Sequence, residues 1–491
     1  VADLRHLPFD NTYARLGPEF GRRVEPTPLL APRPVAWNPD AAALLGIDAA
    51  EADSPFWVEA FSGNAPIPGA EPVAMLYAGH QFGGWVPQLG DGRAILLGEA
   101  RGPDGRWDLH LKGGGPTPFS RGFDGRAVLR STIREYLCGE AMHGLGIPTT
   151  RSLCIVGSGE PVRRERMETA ATLVRLAPSH VRFGSFEVFA ARGQIDHLRT
   201  LADYVVAEHF PHLAGEEDAH ARFFTEVVVR TARLIAQWQA VGWTHGVMNT
   251  DNMSVLGLPL DYGPFGFMDD FDPEFIPNHS DSGGRYAFGQ QPSIGMWNLS
   301  ALAQALLPLI GRDAAVEALG EYEVTLFEEY SELLRARLGL REAREEDQEL
   351  VDGLFDLLAE GAVDYTRFFR LLGRFRDDAA DGERTDDPVR GLFDDREAWD
   401  AWAERYAARL RAEGSVAAER RAGMDAVNPK YVLRTYLAEQ AIRKAEEEQD
   451  FSEIERLRIL LRDPFAEQPE MESYAEPPPE WGRGLVLSCS S

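Results

Sequence analysis

The stretch His245-Gly-Val-Met-Asn-Thr-Asp-Asn252, followed by Asp261-Tyr-Gly263, decides how this chain is read. It comes directly after a helical stripe of Val227, Thr231, Leu234, Ile235, Trp238 and Val241. That spacing predicts a helix with one buried face, and Gly242 stops it. The loop beyond offers the amide of Asn252 and, nine positions later, the carboxylate of Asp261. Both are oxygen donors of the kind that Mg²⁺ takes together with phosphate oxygens.

Working outward, Trp107-Asp-Leu-His-Leu-Lys112 alternates, with Leu109 and Leu111 between Asp108, His110 and Lys112. This predicts a strand with one apolar face that ends on Lys112 before Gly113-Gly-Gly115. Arg93–Glu99 and Thr172–Leu176 read as two more strands. Leu129, Ile133, Tyr136, Leu137 and Glu140 sit at helical spacing, and Gly144 and Gly146 close that helix. Glu135 lies in it, beside Arg134. A strand Lys paired with a helix Glu is how protein kinases hold ATP phosphates. The plainer alternatives are an exposed Lys and a solvated helix face.

The spacing from His245 to Asn252 is that of a kinase catalytic loop, and Asp261-Tyr-Gly263 stands where kinases have Asp-Phe-Gly. Position 247, where a kinase keeps its base, is Val, which cannot accept a proton. The loop therefore carries the kinase spacing without the kinase mechanism. The run Gln88-Leu-Gly-Asp-Gly-Arg93 reads either as a tight turn or as a backbone cradle for phosphate, with Arg93 adding charge.

The 491 residues carry 50 Lys and Arg against 78 Asp and Glu, a net charge of −28. That balance argues against a partner that presents a phosphate backbone or an anionic membrane surface. It does not exclude a local basic pocket. Arg126, Arg130, Arg163, Arg164, Arg175 and Arg182 concentrate in the strand-rich part, and guanidinium forks match phosphate oxygens. Ion pairing with nearby acids is the alternative for several of them. Three cysteines are too few for a disulfide framework and predict a reducing, cytoplasmic setting. Cys138 and Cys154 read as packing residues, whereas Cys489 is either a reactive terminal thiol or inert. The N-terminus lacks the apolar core of a signal peptide, and no apolar run is expected to be long enough to span a bilayer.

The first 60 residues, rich in Pro and Ala, read as an extended arm with a short helix near 40–45. Strands dominate from 70 to about 180, and helical patterns follow over 297–338, 348–373, 395–422 and 430–449. Asp377–Asp387 reads as an acidic loop. Strands followed by helices form an α+β plan.

Several longer motifs resemble the selenoprotein O family, called YdiU in bacteria. They are Tyr77-Ala-Gly-His-Gln-Phe-Gly-Gly84, Leu109–Arg121, Asp124–Glu135, His245–Met253, Leu260–Met268 and the tail Cys489-Ser-Ser491. The resemblance implies a protein-kinase-like two-lobed fold. Its parts would be an N-terminal extension over 1–65, a strand-rich lobe over 66–190, a helical lobe over 191–425 and a C-terminal extension over 426–491. It implies an adenylyltransferase that binds ATP in a flipped orientation and transfers AMP, or UMP from UTP, to Ser, Thr or Tyr hydroxyls of proteins. Gly90, Gly92, Arg93, Lys112, Asp124, Gly125, Arg175 and Arg182 would contact the nucleotide. Asp251 would accept the proton, Asn252 and Asp261 would bind Mg²⁺ or Mn²⁺, and Glu135 would pair with Lys112. An ordinary phosphotransferase and a silent nucleotide-binding pseudokinase are the alternatives. A monomer is expected, with no nucleic-acid or membrane partner.

Overall fold

The computed structural model describes residues 3–376 and 388–488. The predicted acidic loop at 377–387 and Cys489 lie outside the described residues. In chain order the first part comprises β1 (Gly21–Arg23), β2 (Arg33–Trp37), α1 (Pro39–Leu44), α2 (Phe56–Phe61), β3 (Val73–Met75), β4 (Gly79–Gln81) and β5 (Gly84–Val86). Then come β6 (Ala94–Gly102), β7 (Gly105–Lys112), β8 (Ala127–Val128), α3 (Leu129–Gly144), β9 (Arg151–Arg163) and β10 (Met167–Ala177).

The rest is mainly helical: α4 (Phe183–Ala191), α5 (Ile195–His209), α6 (Ala219–Val241), the short pair β11 (Trp243–Thr244) and β12 (Gly266–Phe267), α7 (Gln291–Ile310) and α8 (Arg312–Arg337). It ends with α9 (Asp347–Glu360), α10 (Tyr365–Leu372), α11 (Arg396–Ala412), α12 (Ala417–Val427), α13 (Thr435–Arg443) and α14 (Ser452–Arg462). Strands followed by helices is the α+β plan expected from the sequence.

One antiparallel sheet runs in the order β1-β3-β6-β7-β10-β9-β2, with β8 also on β10. The register sets Lys112 opposite Leu173 and His110 opposite Arg175. Paired antiparallel residues share a face, as do residues two apart on one strand. His110, Lys112 and Arg175 therefore project to the same side, and α3 packs there. The other side holds Leu109, Leu111, Val174 and Leu176, which join a core with Leu45, Trp57 and Phe61 from the α1–α2 region.

The exposed-Lys alternative falls away, because Asp108, His110 and Lys112 are as buried as the leucines. One expectation is corrected: the N-terminal segment is not an extended arm. It supplies β1 at one edge of the sheet, β2 at the other, and the helices that cover its outer face. The segment 430–449 is helical only from Thr435.

α6 ends where Gly242 enters the left-handed region at φ +72°. β11 and β12, paired Trp243 to Phe267 and Thr244 to Gly266, then clamp the two ends of the 245–265 loop. A further correction concerns Phe288–Ile310, which is long and apolar enough to cross a membrane by length and composition. Here it includes α7 and packs against α4, α6 and α8.

Candidate active site

A cavity of about 580 Å³ opens between the face of the sheet that carries Lys112 and the 245–265 loop, within the size range of small-ligand sites. Gly90, Gly92, Arg93, Lys112, Asp124, Gly125, Arg175, Arg182, Asp251 and Asp261 all line it. Glu135 and Asn252 stand behind its wall. One side is built by stitching the 88–93 turn to the 117–120 loop. Thr117 Oγ1 donates to the Asp91 carbonyl at 2.5 Å, and the Ser120 hydroxyl donates to the Gly92 carbonyl. Gly90 is required there: its φ is +71°, and a Cβ would stand 2.5 Å from the Phe119 ring.

The floor is a buried charge cluster. Lys112 Nζ donates to Glu135 Oε2 at 2.6 Å and to Asp261 Oδ1 at 2.8 Å. Arg175 Nε donates to Glu135 Oε1, while its Nη2 reaches Glu135 Oε2 at 3.0 Å and Asp261 Oδ1 at 2.6 Å. Arg93 Nη2 lies 3.8 Å from Asp261 Oδ2. The sequence suggested Lys112 with Glu135. It held no sign that Arg175, on a strand 40 residues away, would grip the same carboxylate.

Burial alone would raise the Asp261 carboxyl. The charges of Lys112, Arg175 and Arg93 outweigh that and hold it well below the usual range. Arg175 is raised in turn, since Glu135 and Asp261 overcome its desolvation. Asp261 is also held at φ +60°, a left-handed conformation that Asp adopts more readily than most residues.

Glu135→Ala is expected to cost about 3–5 kcal/mol of stability, because it leaves two buried cations facing each other. Urea unfolding checks this. A loss below about 1 kcal/mol would mean that Asp261 alone satisfies both cations.

Asp251 sits at the opposite wall, 7% exposed. Gln81 Nε2 donates to its Oδ2 at 3.2 Å, and its Oδ1 has no hydrogen-bond partner. Desolvation raises the carboxyl to about 6, against the opposing pull of Arg182. Arg182 Nη1 donates to the Asp251 carbonyl at 3.0 Å, its guanidinium lies 4.2 Å over the Tyr77 ring, and its Nη2 lies 4.0 Å from Asp91 Oδ1 without a hydrogen bond. Asp124 is held by Arg164 at 2.8 and 2.9 Å. Of the other arginines, Arg126 pairs with Glu160 at the cavity edge and Arg130 pairs with Glu168 away from it.

Asn252 fits a metal ligand. Its Nδ2 donates to the Val247 carbonyl at 2.9 Å, which leaves Oδ1 as its available donor atom. Leu260 N–H donates to the Asn252 carbonyl at 3.2 Å, drawing the residue before Asp261 against Asn252. Among the described residues no group of three or more His, Cys, Asp or Glu side chains could hold a metal by itself. An amide oxygen and one ionised carboxylate suit a hard ion that also binds phosphate.

Sequence reasoning passed over Tyr77 and Gln81 as individual residues, although both stand in the quoted 77–84 motif. Their roles follow from stacking on Arg182 and bonding Asp251, which only the folded chain brings about. Cys138 and Cys154 are fully buried free thiols, as expected for packing residues.

The chain matches the family described as "Protein adenylyltransferase SelO" over residues 3–462. A protein of Myxococcus xanthus named "Protein nucleotidyltransferase YdiU" is 63% identical over 492 residues, covering 100% of both chains. Proteins of the same name from Thioalkalivibrio sulfidiphilus and Thiobacillus denitrificans are 58% and 55% identical, covering 99% and 100% of both chains respectively.

Proposed function

The chain belongs to the SelO family of nucleotidyltransferases, and from that premise we propose that it transfers AMP from ATP to Ser, Thr or Tyr hydroxyls of proteins. UTP would donate UMP by the same step. The observation that carries this reading is the Asp251 carboxyl, raised by its burial, in the wall of a cavity that also holds Lys112, Arg175, Arg182 and Asp261.

The acceptor hydroxyl oxygen forms a bond to the α-phosphorus, and its proton passes to the Asp251 carboxylate. The bond from that phosphorus to the bridging oxygen breaks, and pyrophosphate leaves with the bonding electrons. The proton then goes to water. A carboxylate raised to about 6 is well placed to accept a proton near neutrality. Val247 is then no obstacle, because the base stands four positions later.

Lys112, Arg175 and Arg93 now gather on Asp261. A triphosphate entering between them would share those cations, and Arg182, which also lines the cavity, adds positive charge. In this reading the β- and γ-phosphates lie toward the sheet and the α-phosphate toward Asp251, the flipped orientation. Asn252 Oδ1 and Asp261 would hold Mg²⁺ or Mn²⁺. Such an ion supplies charge neutralisation for the departing pyrophosphate.

We read the fold behind this as kinase-like and two-lobed, supported by the Lys112–Glu135 pair at 2.6 Å and the spacing of the 245–261 loop.

Incubation with Mg²⁺ and acceptor proteins, with ATP labelled in parallel on the α- and on the γ-phosphate, tests the reading. Label from the α-position alone is expected. Label from the γ-position alone would make the protein an ordinary phosphotransferase, and binding without labelling would make it a pseudokinase.

A further inference from the structure

We propose that β4, β5 and the facing Arg285 form the docking surface for the acceptor, and that they select a hydroxyl residue flanked by an aromatic and an acidic side chain. This rests on the transfer reading above and names its acceptor class.

The hairpin pairs Gly79 with Val86, His80 with Trp85 and Gln81 with Gly84, apart from the main sheet. It is fastened to the loop that carries Asp251. His80 N–H donates to Thr250 Oγ1 at 2.7 Å, and Phe82 N–H donates to Asn249 Oδ1 at 3.1 Å and to Tyr286 Oη at 2.9 Å. Gln81 reaches Asp251 itself. A chain whose hydroxyl meets the Asp251 carboxylate would lay its neighbouring residues beside this hairpin.

The hairpin presents apolar surface there: Phe82 is 42% and Trp85 40% exposed. Its turn is Phe82-Gly83, with φ of +50° and +80°. Two-residue turns of this kind favour Asn or Gly at the first position. A bulky residue there is strained, and burial compensates only in part: the ring packs on Tyr286 at 5.2 Å, yet Phe82 stays 42% exposed. Strain of this sort clusters at binding sites.

The charge is equally out of keeping with the rest of the chain. The Arg285 guanidinium lies 4.7 Å over the Trp297 ring and within 3.2–3.4 Å of where a Cβ on Gly83 would stand. Among the described residues it makes no ion pair, and its polar neighbour is the Tyr286 hydroxyl. In a protein of net charge −28, an unpaired guanidinium beside two exposed aromatic rings complements an acidic, aromatic-bearing segment.

The test uses peptides with a central Ser, Thr or Tyr flanked by Phe and either Glu or Lys. They are read by transfer from α-labelled ATP and, separately, by fluorescence polarisation of dye-labelled peptide. The Glu peptide is expected to be preferred by about tenfold or more, and Arg285→Glu is expected to reverse that order with ATP affinity unchanged. Phe82→Gly is expected to raise the acceptor KM about tenfold while kcat holds and thermal stability stays equal or rises. A purely structural Phe82 would not give that combination. An indifferent wild type, an unreversed Arg285→Glu or an unchanged acceptor KM in Phe82→Gly overturns the proposal. If no peptide is labelled, polarisation still decides. Charge-dependent binding lost in Arg285→Glu upholds the docking surface and sinks only the transfer reading, and its absence sinks the docking surface.

Discussion

Asp261→Asn is expected to lower nucleotidyl transfer by about 10³-fold or more, while nucleotide binding without metal is kept or tightened. Both effects come from one carboxylate. Asp261 is the only acidic group lining the cavity that Lys112, Arg175 and Arg93 all approach. Its ionised form is strongly favoured. As an amide it becomes a poor ligand for a hard cation and loosens its hold on those three cations, of which Lys112 and Arg175 stay bonded to Glu135. Asn tolerates the left-handed φ of +60° that this position requires, so the backbone is not the reason for the loss. Equilibrium binding of a fluorescent ATP analogue with chelator present, set beside α-label transfer with metal, separates the two effects. Transfer within tenfold of wild type would remove Asp261 from the metal site.

Asp251→Asn is expected to lower kcat by about 10²–10⁴-fold with nucleotide affinity unchanged, and at the same time to stabilise the fold. Asp251 Oδ1 is buried without a hydrogen-bond partner. Desolvation has raised the carboxyl from 3.8 to about 6 despite Arg182 and Gln81. For a carboxyl raised in the folded state, the stabilising protonated form is complete below about pH 4. It is lost as pH climbs through about 6. At pH 7 the ionised wild type therefore carries a penalty of roughly 2–3 kcal/mol that the amide lacks. Calorimetry without added metal should show a higher Tm for the variant at pH 7, with the gap closing toward pH 4. A lower Tm at pH 7 would mean that the carboxylate is satisfied in place.

Much of this site was legible because its parts lie in short, closely spaced segments. The stripe ending at Gly242, the Asn252 and Asp261 spacing and the alternation ending at Lys112 are all local patterns, and the chain folds them locally. What stayed hidden depends on partners distant in sequence. Alternation in β7 marks two faces but cannot say that His180 will cover Asp108 and His110, or that Glu135 of α3 will cover Lys112. The arginines near the pocket looked alike in sequence. The fold sends Arg175 to Glu135 and Asp261, Arg164 to Asp124 and Arg130 to Glu168. β1 and β2 escaped notice because they are 3 and 5 residues long and β2 contains Pro34. Such runs carry too little periodicity to declare themselves.

The two edge strands also bear on how the chain is made. β2 pairs Arg33 with Gly157 and Trp37 with Cys154, so this strand must wait for more than a hundred further residues before its partner exists. Non-local pairing of this kind slows folding and leaves apolar surface open meanwhile. Until β9 and β10 have emerged, the α1–α2 segment has only the β6–β7 part of the sheet to cover, and Trp57 and Phe61 are incompletely packed. The nascent chain is thus most vulnerable over its first third, the part that later shields the back of the catalytic sheet.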